Sequence, residues 1–204
     1  HPYPENDVVR QAVAPYRELL IPFAFVDLWD RVDAGCVARY AEQGFRGLKC
    51  IAPHYPYDHD LYMPVYEAAE KLGLPMVFHT GLFRPAACDR VNRRPTVANM
   101  HPLCLDRIAR SFPDLRIVMA HLGTTLFRHE AAQLLRLHRN LYADLAGSGS
   151  WMALQPRDLA ALLHAVEHQV EHAHHRQPES HDGQRGAACG LGGRQHGQAA
   201  AGCP

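Results

Sequence analysis

Net charge is the first thing this sequence lacks: 21 Lys and Arg balance 21 Asp and Glu across 204 residues. Without a basic or acidic excess there is no electrostatic footprint for nucleic acid or an anionic membrane surface. Neither partner is expected. No apolar run approaches the roughly 20 residues that span a bilayer, and no charged-then-apolar leader opens the sequence. A cytoplasmic location is therefore expected. The first residue is His1 rather than Met, so the translation start is expected to lie elsewhere. The six cysteines (Cys36, Cys50, Cys88, Cys104, Cys189 and Cys203) form no C-x-x-C pair, and reduced thiols are expected.

Large apolar residues are also lacking, but only in the last part of the chain. After Val170 the sole large aliphatic is Leu191, among Gly, Ala, His, Gln and Arg. Such a segment buries too little surface to offset its ordering entropy. Residues 169–204 read as a disordered tail, or as out-of-frame sequence. His172, His174, His175, His181 and His196 also admit a reading as a metal-binding tract.

What remains is a regular pattern over residues 1–168, which form the expected domain, with 47% hydrophobic residues in the chain as a whole. Apolar runs at 19–28, 45–53, 75–80, 115–123 and 141–149 read as strands. Helical spacing at 33–44, 61–73, 101–113, 126–140 and 155–169 reads as the helices between them. Asp33 can cap the first helix, Gly44 and Gly73 can end the first two, and Pro64 fits a first turn. Leu103, Leu105 and Ile108 are the expected buried face of the third. Strands alternating with helices imply parallel pairing with right-handed crossovers. An open doubly wound sheet and a barrel both remain open on this pattern.

Fifteen His residues are the other abundance. Two of them end apolar strands: His79 in "LPMVFHTGLF" and His121 in "RIVMAHLG". In parallel α/β folds the C-terminal strand ends carry the chemistry, because their loops converge there. Neutral imidazole is the commonest metal ligand, and a rigid strand end fixes its direction. The pair is thus a candidate for metal binding, with His121 also a catalytic candidate. Lys49 interrupts an apolar strand, where an unpaired ammonium is costly. It admits three readings: contact with a substrate anion, carbamylation, or an ion pair with Asp144 or Asp27. Arg84 could meet a substrate carboxylate, and His54 lies close enough to a strand end to face the same mouth. Asp144 is expected to support a neighbouring His or Lys.

Four stretches, in order, carry a resemblance: "GFRGLKCIAP", "YMPVYEAAEKLGLPMVFHTG", "PLCLDRIARSFPDLRIVMAHLG" and "NLYADLAGSG". Together, over about residues 8–150, they resemble the amidohydrolase-related (amidohydrolase 2) family of metal-dependent TIM-barrel hydrolases and decarboxylases, the family of aminocarboxymuconate semialdehyde decarboxylase. The resemblance implies a partial (β/α)8 TIM barrel, the five strands standing as strands three to seven. It places His79 as the fifth-strand metal ligand and His121 as the sixth-strand His that binds metal or assists catalysis. It implies a divalent metal, with zinc expected. The expected activity is hydrolysis of a small carboxylate-bearing substrate, or non-oxidative decarboxylation. The family's H-x-H pair and its G-S-D aspartate have no counterpart before Val9 or after residue 150. The chain therefore also admits reading as an inactive fragment with open strand edges that favour self-association.

Overall fold

The computed structural model describes residues 5–29, 32–82, 96–147, 157–158 and 160–161. Five strands form one parallel sheet in the order β1-β2-β3-β4-β5: β1 Phe23–Phe25, β2 Gly47–Cys50, β3 Met76–His79, β4 Ile117–Ala120 and β5 Leu141–Ala143. Among the described residues these helices accompany them: α1 Asn6–Val13, α2 Gly35–Glu42, α3 Met63–Lys71, α4 Cys104–Ser111 and α5 Thr124–Leu137. The strand order never reverses. A doubly wound sheet requires a reversal at its switch point, whereas a barrel adds each strand beside the last. The order thus decides for an arc of a barrel.

Register fixes what each face carries. Ala24, Leu48, Met76, Ile117 and Leu141 share one row, and Cys50, Phe78, Met119 and Ala143 the next. These side chains are buried except for Ala143, which is half-buried. They form one core with Val37 of α2, Val65, Tyr66 and Ala69 of α3, Leu105 and Ile108 of α4, and Ala131 and Leu134 of α5. The opposite face carries Phe23, Phe25, Lys49, Val77, Val118 and Tyr142. These side chains are half-buried or exposed. In a closed barrel this second face looks inward.

The helices follow the local signals. Asp33 accepts from the Gly35 N–H at 2.8 Å at the start of α2, and Pro64 lies in the first turn of α3. Gly44 and Gly73 end α2 and α3 with φ of 91° and 65°, the left-handed region that glycine enters without strain. Several expectations need correcting. The first strand covers only Phe23–Phe25, and Leu19 and Ile21 are exposed. Pro22 has no N–H for a ladder, and pairing begins after it. Leu103 is exposed, because α4 starts one residue later. Helix α1 has no counterpart among the expected elements. It is pinned to β1 by Asn6, whose amide donates to Phe25 O (2.9 Å) while its oxygen accepts from Phe25 N (2.7 Å). One side chain thereby substitutes for a neighbouring strand on that edge. The helix expected at 155–169 and the tail at 169–204 lie almost wholly outside the described residues. No described helix is long and apolar enough to cross a membrane.

Candidate active site

The C-terminal ends of β2, β3, β4 and β5 meet on the inward face. Register carried one step past the paired residues aligns Ile51, His79, Ala120 and Asp144, and Asp144 N–H donates to Met119 O at 3.1 Å to extend β5 that far. His121 follows Ala120 directly. The two imidazoles expected to pair do so: their ring centroids lie 4.9 Å apart, edge to face.

His79 is only 3% exposed. Its Nε2 lies 2.9 Å from Leu82 O. A carbonyl oxygen only accepts, so this nitrogen carries the proton and the lone pair of the neutral ring sits on Nδ1. Burial pushes its pKa down to about 4, with the Lys49 and His121 charges adding to that and the Leu82 and Asp144 oxygens opposing it. His79 is therefore neutral at pH 7. His121 Nδ1 donates to Ala146 O at 2.5 Å, and its backbone N–H donates to Asp144 Oδ1 at 2.9 Å. The same carboxylate oxygen accepts from Ala146 N at 3.0 Å and stands 4.0 Å from His121 Nδ1. Asp144 thus binds both ends of the segment that holds the ring.

Lys49 lies on the inward face, one row behind His79. Among the described residues no salt bridge reaches Lys49, and Asp144 acts on it only through its charge. Burial pushes its pKa down to about 8, against an upward pull from Cys50 and Asp144. His54 is exposed, and its ring meets Trp29 (4.7 Å) and Tyr55 (4.4 Å) edge-on. Its neighbours are thus these aromatic rings rather than the imidazole pair. Arg84 lies outside the described residues, as do Cys88, Cys189, Cys203 and the His-rich tract. Cys36, Cys50 and Cys104 are free thiols.

Several residues that build the site carried no sequence signal of their own. Tyr57, fully buried, shares its hydroxyl proton between His79 O (3.0 Å) and Cys50 O (3.3 Å), and Tyr62 donates to Leu28 O at 2.7 Å. The tyrosines of the loop after β2 thus tie the ends of the first three strands. Thr80 and Thr124 are buried completely. Backbone φ is positive at His121 (67°), Leu122 (42°), Gly123 (69°) and Thr124 (56°). Such a run costs of order 1–3 kcal/mol per non-glycine residue and persists only where surroundings enforce it. The sole clue in the sequence was the polar Thr directly after each strand-end segment.

Catalytic zinc takes about three protein ligands plus water. Among the described residues no group of three His, Cys, Asp or Glu side chains could hold a metal ion. The imidazole pair suits a borderline divalent ion as two of its donors, and a complete ligand set requires others.

Comparison with known proteins agrees with this geometry. A family model described as amidohydrolase matches residues 4–179. No curated protein sequence matches the chain. An uncharacterised TIM-barrel protein from Bordetella bronchiseptica is similar in structure, with TM-score 0.61 and 19% identity, covering 79% of this chain and 54% of that one. The 5-carboxyvanillate decarboxylase of Sphingomonas paucimobilis gives TM-score 0.51 and 18% identity, covering 79% and 57%. A dihydroxybenzoic acid decarboxylase from a Polaromonas species, solved with manganese and the inhibitor 2-nitroresorcinol, gives 0.51 and 15%, covering 79% and 59%. The chain thus spans little more than half the length of these structures. The likeness shows the fold, a TIM-barrel arc.

Proposed function

The chain belongs to the amidohydrolase family, and from that premise we propose that its imidazole pair forms part of a metal-dependent active site for a small carboxylate-bearing substrate. The observation that most supports this is the convergence of Lys49, His79 and His121 at one end of one sheet face. An ammonium there, with no salt bridge to a described residue, offers a partner for an anionic group. With a pKa of about 8, roughly nine-tenths of it is charged at pH 7.

Non-oxidative decarboxylation is the proposed reaction, supported by the names of two structurally similar proteins, both decarboxylases of aromatic acids. Hydrolysis of an amide or ester is the second reading, supported by the family's description. A bound divalent ion would polarise a substrate oxygen or activate water, and zinc and manganese are the two proposed ions. His79, neutral and held by Leu82, orients what it faces. Lys49 anchors the substrate's anionic group. In decarboxylation the bond to the carboxyl carbon breaks and its electron pair stays on the substrate carbon. His121, standing beside the ion rather than ligating it and taking a proton from solvent on Nε2, would deliver the proton that fills that position, and carbon dioxide would leave. In hydrolysis His121 would instead accept the proton of the attacking water. The proposed compartment is the cytoplasm and the proposed partner is the substrate. Self-association is also proposed, read by light scattering.

The test supplies the purified protein with Zn2+ or Mn2+ and a panel of aromatic carboxylic acids, amides and esters. Carbon dioxide release from at least one acid is expected. Turnover of amides or esters alone would overturn decarboxylation in favour of hydrolysis. Absence of any metal-dependent turnover would overturn both readings and favour an inactive chain.

A further inference from the structure

The loops after β3 and β4 are joined by two buried hydroxyls. Thr80 Oγ1 donates to Ala120 O at 2.8 Å and accepts from Gly123 N at 2.9 Å. Thr124 Oγ1 accepts from Leu82 N at 3.0 Å. Leu82 O, one residue's carbonyl away, is the acceptor for His79 Nε2. The chain of contacts therefore closes into a circuit. It runs from the His79 ring through Leu82, Thr124 and Gly123 to Thr80, then to Ala120, whose neighbour is His121.

Space and backbone conformation tighten this circuit. A Cβ at Gly81 would lie 2.3 Å from Gly123 O and 2.4 Å from Thr124 Oγ1, so the two loops touch at backbone distance. The left-handed run at His121–Thr124 is the segment that these bonds enclose. Within the run, a 3-10 turn over His121–Gly123, the Thr124 N–H donates to His121 O. The Asp144 carboxylate holds its first N–H, and the Thr80 hydroxyl holds its third.

We propose that Thr80 and Thr124 are positioning residues: their hydroxyls lock the two strand-end loops so that His79 is held as the Nε2–H tautomer facing His121. A Thr hydroxyl both donates and accepts, which Thr80 needs in order to bridge a carbonyl and an amide. Thr124 needs only to accept. Val, with the same shape and no hydroxyl, would leave the Leu82 and Gly123 amides without their partners. Leu82 O then loses its fixed position, and the imidazole loses the acceptor that selects its tautomer. The proposal deepens the site proposed above, but its readout needs neither metal nor substrate. Its failure is thus separate from failure of the proposed reaction.

The experiment uses imidazole nitrogen NMR at neutral pH together with amide hydrogen exchange, on the 204-residue protein. In the wild type, His79 is expected as a single Nε2–H tautomer, with the Leu82 and Gly123 amides exchanging as slowly as those of β3 and β4. Thr124→Val should speed Leu82 exchange by about tenfold or more and turn the His79 signals into a tautomer mixture. Thr80→Val should do the same to Gly123 exchange. Thr124→Ser and Thr80→Ser, which keep the hydroxyl, should restore the wild-type pattern. Ile108→Val, a buried change in α4 outside the circuit, should loosen the fold without altering the tautomer. A wild-type His79 protonated at Nδ1, or fast exchange at Leu82 and Gly123, would overturn the proposal even if neither Val variant folds. So would a Ser variant that behaves like Val, or an Ile108→Val variant that shifts His79 equally.

Discussion

Lys49→Met should make the protein more stable and less able to hold an anionic ligand. Lys49 is half-buried, in one row with Phe25 and Val77 on the flanking strands, and burial is the main reason that its pKa falls from 10.5 to about 8. At about 1.36 kcal/mol per unit, that shift weighs about 3 kcal/mol against the charged form in the folded state. Residual exposure reduces the recoverable part, so the substitution should raise stability by about 2 kcal/mol at pH 7. The sign with pH is definite. Below pH 8 both folded and unfolded chains carry the charge, and the advantage of Met is complete. Between pH 8 and 10.5 the folded wild type sheds its proton while the unfolded chain keeps it. Wild-type stability therefore catches up through that window. Urea unfolding of both proteins at pH 7, 8, 9 and 10 reads the gap, and comparing the two cancels the opposing titration of Cys36 and Cys104, both raised to about 11 by burial. A variant less stable than wild type at pH 7, or a gap indifferent to pH, would refute the reasoning.

Three further outcomes follow from the same geometry. Gly81→Ala must place a Cβ against the Gly123 carbonyl at φ +87°, and thermal unfolding should show a loss of about 3 kcal/mol. A loss under about 0.5 kcal/mol would show that the loops part easily. Acid should weaken the fold between pH 6.5 and 4, because the unfolded chain protonates His79 in that window while the folded one, with its pKa at about 4, does not. The loss should approach about 3 kcal/mol and be missing in His79→Gln when urea unfolding is followed from pH 7 to 4.5. Tyr57→Phe removes the proton shared by His79 O and Cys50 O and should cost about 1–2 kcal/mol by urea unfolding.

The alternation of strands and helices was legible because apolar runs, glycine stops and a first-turn proline act locally. What the sequence could not show was which acceptors a polar side chain would find. Asn6 carried no signal in the sequence, and only the folded chain shows that its amide seals β1. Leu19–Ile21 reads as strand because apolar runs are ambiguous at their ends. The choice of barrel over doubly wound sheet rested on strand order, which pattern alone does not encode. In the site, His79 and His121 were recognisable as imidazoles at the ends of successive strands, although His79 pairs with Ala120 and His121 lies one residue further on. Thr80, Thr124 and Tyr57 were not, because their role arises from contacts up to 43 residues apart in sequence. The polar break at Lys49 was visible, but its lack of an ion pair with Asp144 depends on distances that only the fold sets.

The central claim is that the His79–His121 pair is the working part of a metal-dependent site. The most direct measurement is kcat/KM for the best carboxylate substrate, with saturating Zn2+ or Mn2+, in wild type, His79→Ala and His121→Ala. Each substitution is predicted to lower it by about a hundredfold or more while leaving the unfolding transition cooperative. A kcat/KM unchanged in either variant would contradict the account.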